Sequence, residues 1–113
     1  QIPRTLDDTE VLIDRLVADG ISFDAIVTSE DIFAIGAQRA ALRHGKTIPV
    51  IGCHNSILAQ RATPTTTSLD NKLTSLCNAA VHIVTELTGK EPDSVPVRTE
   101  FSADLVERES FRR

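Results

Sequence analysis

The chain contains no methionine, no tryptophan and no tyrosine, and only two cysteines among its 113 residues. Without a methionine there is no initiator, so a chain beginning at Gln1 is expected to be a piece of a longer protein. The cysteines, Cys53 and Cys77, are far apart and have neither metal-ligand spacing nor a disulfide framework. Both fall in apolar stretches, where a thiol usually acts as a small hydrophobe, so both are expected to be buried. No apolar run approaches the roughly 20 residues needed to cross a bilayer. Nor does an apolar segment follow Arg4, as an export signal requires; no membrane partner and a cytoplasmic location are the expectations. The glycines at 45, 52 and 89 stand singly at element ends, which excludes a phosphate-cradling loop. His44, His54 and His82 lie on different elements without metal spacing, so neither a metal nor a cofactor is expected. A basic excess is missing too. Twelve basic residues face sixteen acidic ones, for a net charge of -4. The one small basic cluster, Arg108 with Arg112 and Arg113, is at the tail, whereas gripping phosphates needs a basic face. The chain is not a DNA-binding module by itself.

What remains is an ordinary soluble composition, 41% hydrophobic and 25% charged, enough for one domain. Acid in Asp7, Asp8 and Glu10 precedes Leu12, Ile13, Leu16 and Val17 at helical spacing, with Gly20 as a stop. Ala25 to Ser29 reads as a short buried strand, and Ile32 to His44 as a helix closed by Gly45. Pro49 to Cys53 reads as a second strand, Asn55 to Arg61 as an irregular helical turn, and Thr63 to Ser68 as a linker. Asn71 to Thr88 is the longest helix. Its Leu73, Leu76, Cys77, Ala80, Ile83, Val84 and Leu87 form one apolar stripe. The tail from Val95 to Arg108 fits one or two strands. Helices alternating with strands predict an α/β fold, a parallel sheet flanked by helices.

In such sheets ligands bind beyond the carboxyl ends of the strands. The first strand delivers Ser29, Glu30 and Asp31; the second delivers Cys53, His54, Asn55 and Ser56. Asp31 directly precedes a helix and reads first as an N-cap, a role Ser29 can also fill. Glu30 and His54 are the better ligand contacts, since an imidazole can donate, accept or change charge near neutral pH. A catalytic Cys53–His54 dyad is excluded on the expectation that successive strand residues point to opposite faces, and no nucleophile is otherwise evident. No enzymatic role is expected.

Five blocks, in order, resemble one family. Phe23 to Asp31 with Ala34-Ile35-Gly36-Ala37 resembles its "DAI…ND…A-hydrophobic-G-A" stretch, and Arg43-His44-Gly45 with Ile48-Pro49 the close of that helix. Val50 to Ser56 resembles its "VIG-aromatic-D" strand end, Thr63 to Leu69 its "TP-x-LTT" crossover, and Leu105 to Ser110 its "L-V-x-R-x-S" ending. The set resembles the C-terminal part of LacI/GalR-type bacterial transcriptional regulators. The resemblance implies an effector-binding domain, the C-terminal lobe of a type I periplasmic-binding-protein-like fold. Residues 1–69 and 99–113 would form that lobe, with 70–98 crossing to the N-terminal lobe. It further implies a small-molecule effector, sugar-like or a charged metabolite, held in the inter-lobe cleft by Glu30, His54, Ser29 and Asp31. A homodimer would form through Ile32, Ile35, Gly36 and Arg39, and operator DNA would be reached only through a helix-turn-helix absent from this chain. The sequence departs from the family at His54, where an Asp is usual, at Cys53, where an aromatic is usual, and at Glu30, where an Asn is usual. The Pro49–Val50 junction is also shorter than the family pattern. The alternative is the substrate-binding protein of a transporter, which shares the fold.

Overall fold

The structure is a computed structural model, and it describes residues 2–89 and 98–111. In chain order its elements are α1 (Leu6–Ala18), β1 (Ile26–Val27), α2 (Asp31–Arg43), β2 (Val50–Cys53), α3 (Ile57–Arg61), β3 (Thr67–Asp70), α4 (Leu73–Leu87) and β4 (Asp104–Val106). The strands form one sheet in the order β1-β2-β3-β4. The first three are parallel, and β4 runs antiparallel to β3 with Leu69 paired to Leu105. The expected parallel α/β sheet is thus present with an antiparallel edge added.

Helix α1 starts where its chemistry allows. Thr5 caps it, and Asp8 reaches back to the Thr5 backbone N–H, so a capping box satisfies two orphan donors. It lies along α2, whose Gly36 permits the approach: a Cβ there would fall 2.6 Å from the Leu6 carbonyl oxygen and 3.0 Å from the Thr9 Cβ. Ion pairs border the contact. Arg39 and Arg43 meet Glu10, and Arg43 and His44 meet Asp14. The core below consists of Ile13, Ala34, Ala37, Ala40 and Val50, with Leu16, Val17, Phe23 and Ile26 packed against it. Small side chains on α2 let it sit close to both α1 and the sheet.

Two expectations are corrected. Thr63 to Ser68 is not simply a linker, because its end enters β3. Thr66, Thr67 and Ser68 are fully buried, which a hydrophobic-pattern reading does not anticipate. Their burial is tolerable because every hydroxyl is bonded: Thr66 to Gln38, Thr67 to the Arg108 and Phe111 carbonyls, Ser68 to Asp31. The cysteines are the second correction. Cys77 is exposed on α4 and Cys53 only half-buried, so neither is a buried core thiol.

Helix α4 has no buried residue, and Leu73, Leu76, Val84 and Leu87 of its apolar stripe are exposed. The radius of gyration, 18.5 Å, is well above the roughly 13 Å of a compact 100-residue domain. The chain is extended, with α4 lying outside the core. Residues 90–97, part of the expected 70–98 crossover and of the expected tail strands, lie outside the described residues, as do Arg112 and Arg113.

Candidate functional site

Strands β1 and β2 are in register with Val27 opposite Ile51. The Thr28 N–H donates to the Ile51 carbonyl at 3.0 Å, which continues the pairing beyond β1. Glu30 and His54 therefore each stand three residues past that pair, at the same end of two neighbouring strands. Adjacent strands lie about 4.8 Å apart, so the two residues share one edge.

Asp31 has a different role from the one expected. It is the first residue of α2 and not its cap; the N-cap position belongs to Glu30, which makes no side-chain cap bond, and Ser29 does not supply one. The Asp31 carboxylate is buried, and it accepts from the Ser56 N–H at 2.6 Å and from the Ser68 hydroxyl at 2.5 Å. Gly52 makes room for it, since a Cβ there would collide with Asp31 Oδ1. Asp31 is therefore a tie between three segments, with both oxygens occupied by the protein.

The loop after β2 is fixed on its other side as well. The Asn55 N–H donates to Ser68 Oγ at 2.9 Å, and the His54 N–H to the Leu69 carbonyl at 2.8 Å. The Asn55 side chain accepts from Arg108 at 2.5 Å and donates to Asp70 at 3.1 Å. Asp70 in turn accepts from the Lys72 N–H at 2.8 Å. These bonds hold the Asp70 carboxyl below its usual range, the Lys72 backbone N–H contributing most and Asn55 next. Arg108, read from sequence as part of a basic tail cluster, is instead half-buried against Asn55 and the Thr66 carbonyl.

His54 and Asn55 have φ of 90° and 48°, in the left-handed region that is uncommon for residues other than glycine. The side chains of Cys53 and His54 are both within reach of one neighbour. Asn71 Nδ2 reaches both, at 3.2 Å from Cys53 Sγ and 3.4 Å from His54 Nδ1. Asn71 and Ser68 were not singled out from the sequence, and Asn55 and Arg108 were named there without these partners. Their one available signal was the density of short polar residues flanking two strand ends.

Of the four expected effector contacts, Glu30, His54 and Ser29 are exposed and Asp31 is buried. Ser29 also lines a hollow of about 250 Å³ with Ile26, Val27 and Phe33. Among the described residues, no group of three or more His, Cys, Asp or Glu is placed to hold a metal ion. The expected dimer residues divide similarly. Gly36 is used within the chain, beneath α1, so it does not present a small surface to a second subunit. Ile35 is already 7% exposed, whereas Ile32 is half-buried and Arg39 is open.

A family model described as a periplasmic binding protein-like domain matches residues 4–111. An HTH-type transcriptional regulator of Lachnoclostridium phytofermentans is 36% identical over 96% of this chain, which spans 33% of that relative. The lac repressor dimer bound to operator and an anti-inducer superposes with a TM-score of 0.82 at 20% identity, over 94% of this chain and 38% of its own. A LacI-family transcriptional regulator from Lactobacillus casei with bound sucrose gives 0.75 at 20% identity, over 95% and 41%. This chain thus covers about a third of the regulator and about two-fifths of each solved structure that it matches. The ordered blocks, the three parallel strands with an antiparallel edge and the match over nearly the whole length agree: the chain belongs to the periplasmic binding protein-like domain family.

Proposed function

We propose that the chain is the effector-sensing and dimerising part of a cytoplasmic LacI-type transcriptional regulator. A small molecule would lodge at the carboxyl edge of the sheet and change the operator affinity of a helix-turn-helix carried elsewhere in the protein. The observation that carries this reading is the 36% identity, over almost the entire chain, to a regulator of the helix-turn-helix type. It favours regulation over transport. Among the described residues, no helix is long and apolar enough to cross a membrane.

The physical layout supports the reading. Glu30 and His54 are exposed side chains at one strand edge, and Asp31 makes that edge rigid. The uncovered stripe of α4 supports the assignment of 70–98 to a second lobe, because an amphipathic helix is stabilised mainly by burying its apolar face. Dimerisation is supported by apolar surface around α2. Ser56 is bonded to Asp31, which ties the start of α3 to the start of α2, and both Ile57 and Leu58 are about half exposed. A second copy covering Ile32, Ile57 and Leu58 would remove that surface from water.

The test is operator binding by the full-length protein, measured by fluorescence anisotropy on the DNA upstream of its own gene with a metabolite library added. Specific binding that one compound class strengthens or weakens is the expected result. A protein that binds no operator fragment would overturn the reading.

A further inference from the structure

The bonding around His54 specifies more than its position. The Asn71 amide nitrogen can only donate, and it stands 3.4 Å from Nδ1 and 3.2 Å from the Cys53 sulfur. An Nδ1 that accepts from Asn71 leaves the ring proton on Nε2. In that tautomer Nε2 is a donor. Its neighbour on the edge has the opposite character. Glu30 is an acceptor-only carboxylate, and it is not used as a helix cap. The other acid at this edge, Asp31, is consumed by Ser56 and Ser68.

A ligand that spans the two strand ends must satisfy one donor and one acceptor. A dicarboxylate suits His54 and is repelled by Glu30. A diamine suits Glu30 and leaves Nε2–H without an acceptor. A neutral sugar can touch both, but only through ordinary hydrogen bonds, about half as strong as charge-assisted ones. A small zwitterion makes a charge-assisted bond at each end and carries no net charge onto the edge.

We propose that this edge recognises a small zwitterion of the α-amino-acid class, its carboxylate on Nε2–H of His54 and its ammonium on Glu30. Asn71 is the positioning residue that selects the ring tautomer. The inference rests on the effector-site reading above and adds the ligand class to it. Left-handed backbone at His54 is consistent with a residue held for recognition.

The experiment uses the full-length protein and isothermal titration with three sets of compounds: the common α-amino acids, short dicarboxylates, and neutral sugars including sucrose. At least one amino acid should bind, and no member of the other two sets should bind as tightly. Glu30→Gln and His54→Ala, both surface changes, should each weaken that amino acid at least tenfold. Asn71→Asp places an acceptor on Nδ1 and draws the proton there. It should shift the ¹⁵N signature of the His54 ring from the Nε2–H to the Nδ1–H tautomer and weaken the amino acid by a similar factor. Tighter binding of a sugar or a dicarboxylate, indifference of the amino acid to all three substitutions, or an Nδ1–H ring in the unaltered protein would each overturn the proposal. Operator binding by the same samples separates the two levels. Operator release by a sugar overturns the ligand class and leaves the regulator reading intact, whereas absence of operator binding overturns the regulator reading alone.

Discussion

Replacing Asp31 with alanine should destabilise the protein more than any substitution at Glu30 or His54, although all three stand at the same edge. Asp31 is 3% exposed, and both carboxylate oxygens are bonded, to the Ser56 N–H and the Ser68 hydroxyl. A hydrogen bond to a charged group contributes about 1.5–3 kcal/mol, and removing the acceptor strands a buried donor. Two such bonds, partly relaxed after the loss, give an expected cost of about 3–5 kcal/mol. The asparagine variant keeps the volume and one acceptor oxygen, so about half that cost is expected. Urea unfolding of the full-length protein, followed by far-ultraviolet circular dichroism, measures the difference. A loss below about 1 kcal/mol for the alanine variant would match an ordinary surface change and refute the role assigned to this carboxylate.

Three further outcomes follow from the packing. Gly36→Ala puts a methyl group 2.6 Å from the Leu6 carbonyl, so α1 must shift, and a cost of about 1–3 kcal/mol is expected in the same unfolding assay; full stability would mean that α1 does not seat there. Leu58→Glu puts a charge on an exposed apolar position without touching the core, and should convert a dimer into a monomer in analytical ultracentrifugation; an unchanged sedimentation coefficient would remove α3 from the interface. Asp8, Asp14 and Asp70 are all held below the ordinary value of 3.8, chiefly by the Arg4 backbone N–H, the His44 side chain and the Lys72 backbone N–H respectively. Their folded forms take up protons less readily than the unfolded chain, so their stabilisation is complete above about pH 4 and lost as the pH falls below it. The urea midpoint should then drop on acidification through that range, and a midpoint independent of pH there would contradict these assignments.

The long elements were legible because their patterns are redundant. In α1, α2 and α4 several apolar positions repeat at helical spacing, and glycines at 20, 45 and 89 mark where each run ends. The site was half legible. Strand-end logic brought Glu30 and His54 together, but nothing local shows that Asp31 turns inward, because its partners Ser56 and Ser68 are 25 and 37 residues away. Strand β3 escaped for the same reason. Its buried hydroxyls look like a polar linker until the residues that bond them, Gln38 and Asp31 on α2 and Arg108 and Phe111 in the tail, are placed around it. The left-handed turn at His54 and Asn55 has no glycine to announce it.

Hydrogen exchange measured by mass spectrometry is a direct test of the proposal that a small molecule binds at the carboxyl edge of this sheet. The full-length protein should be compared with and without the compound that alters its operator affinity. Protection is expected in the peptides that carry residues 28–31 and 53–56, with less change along the outer face of α1. Protection confined to other segments, leaving both strand ends as they were, would contradict the account.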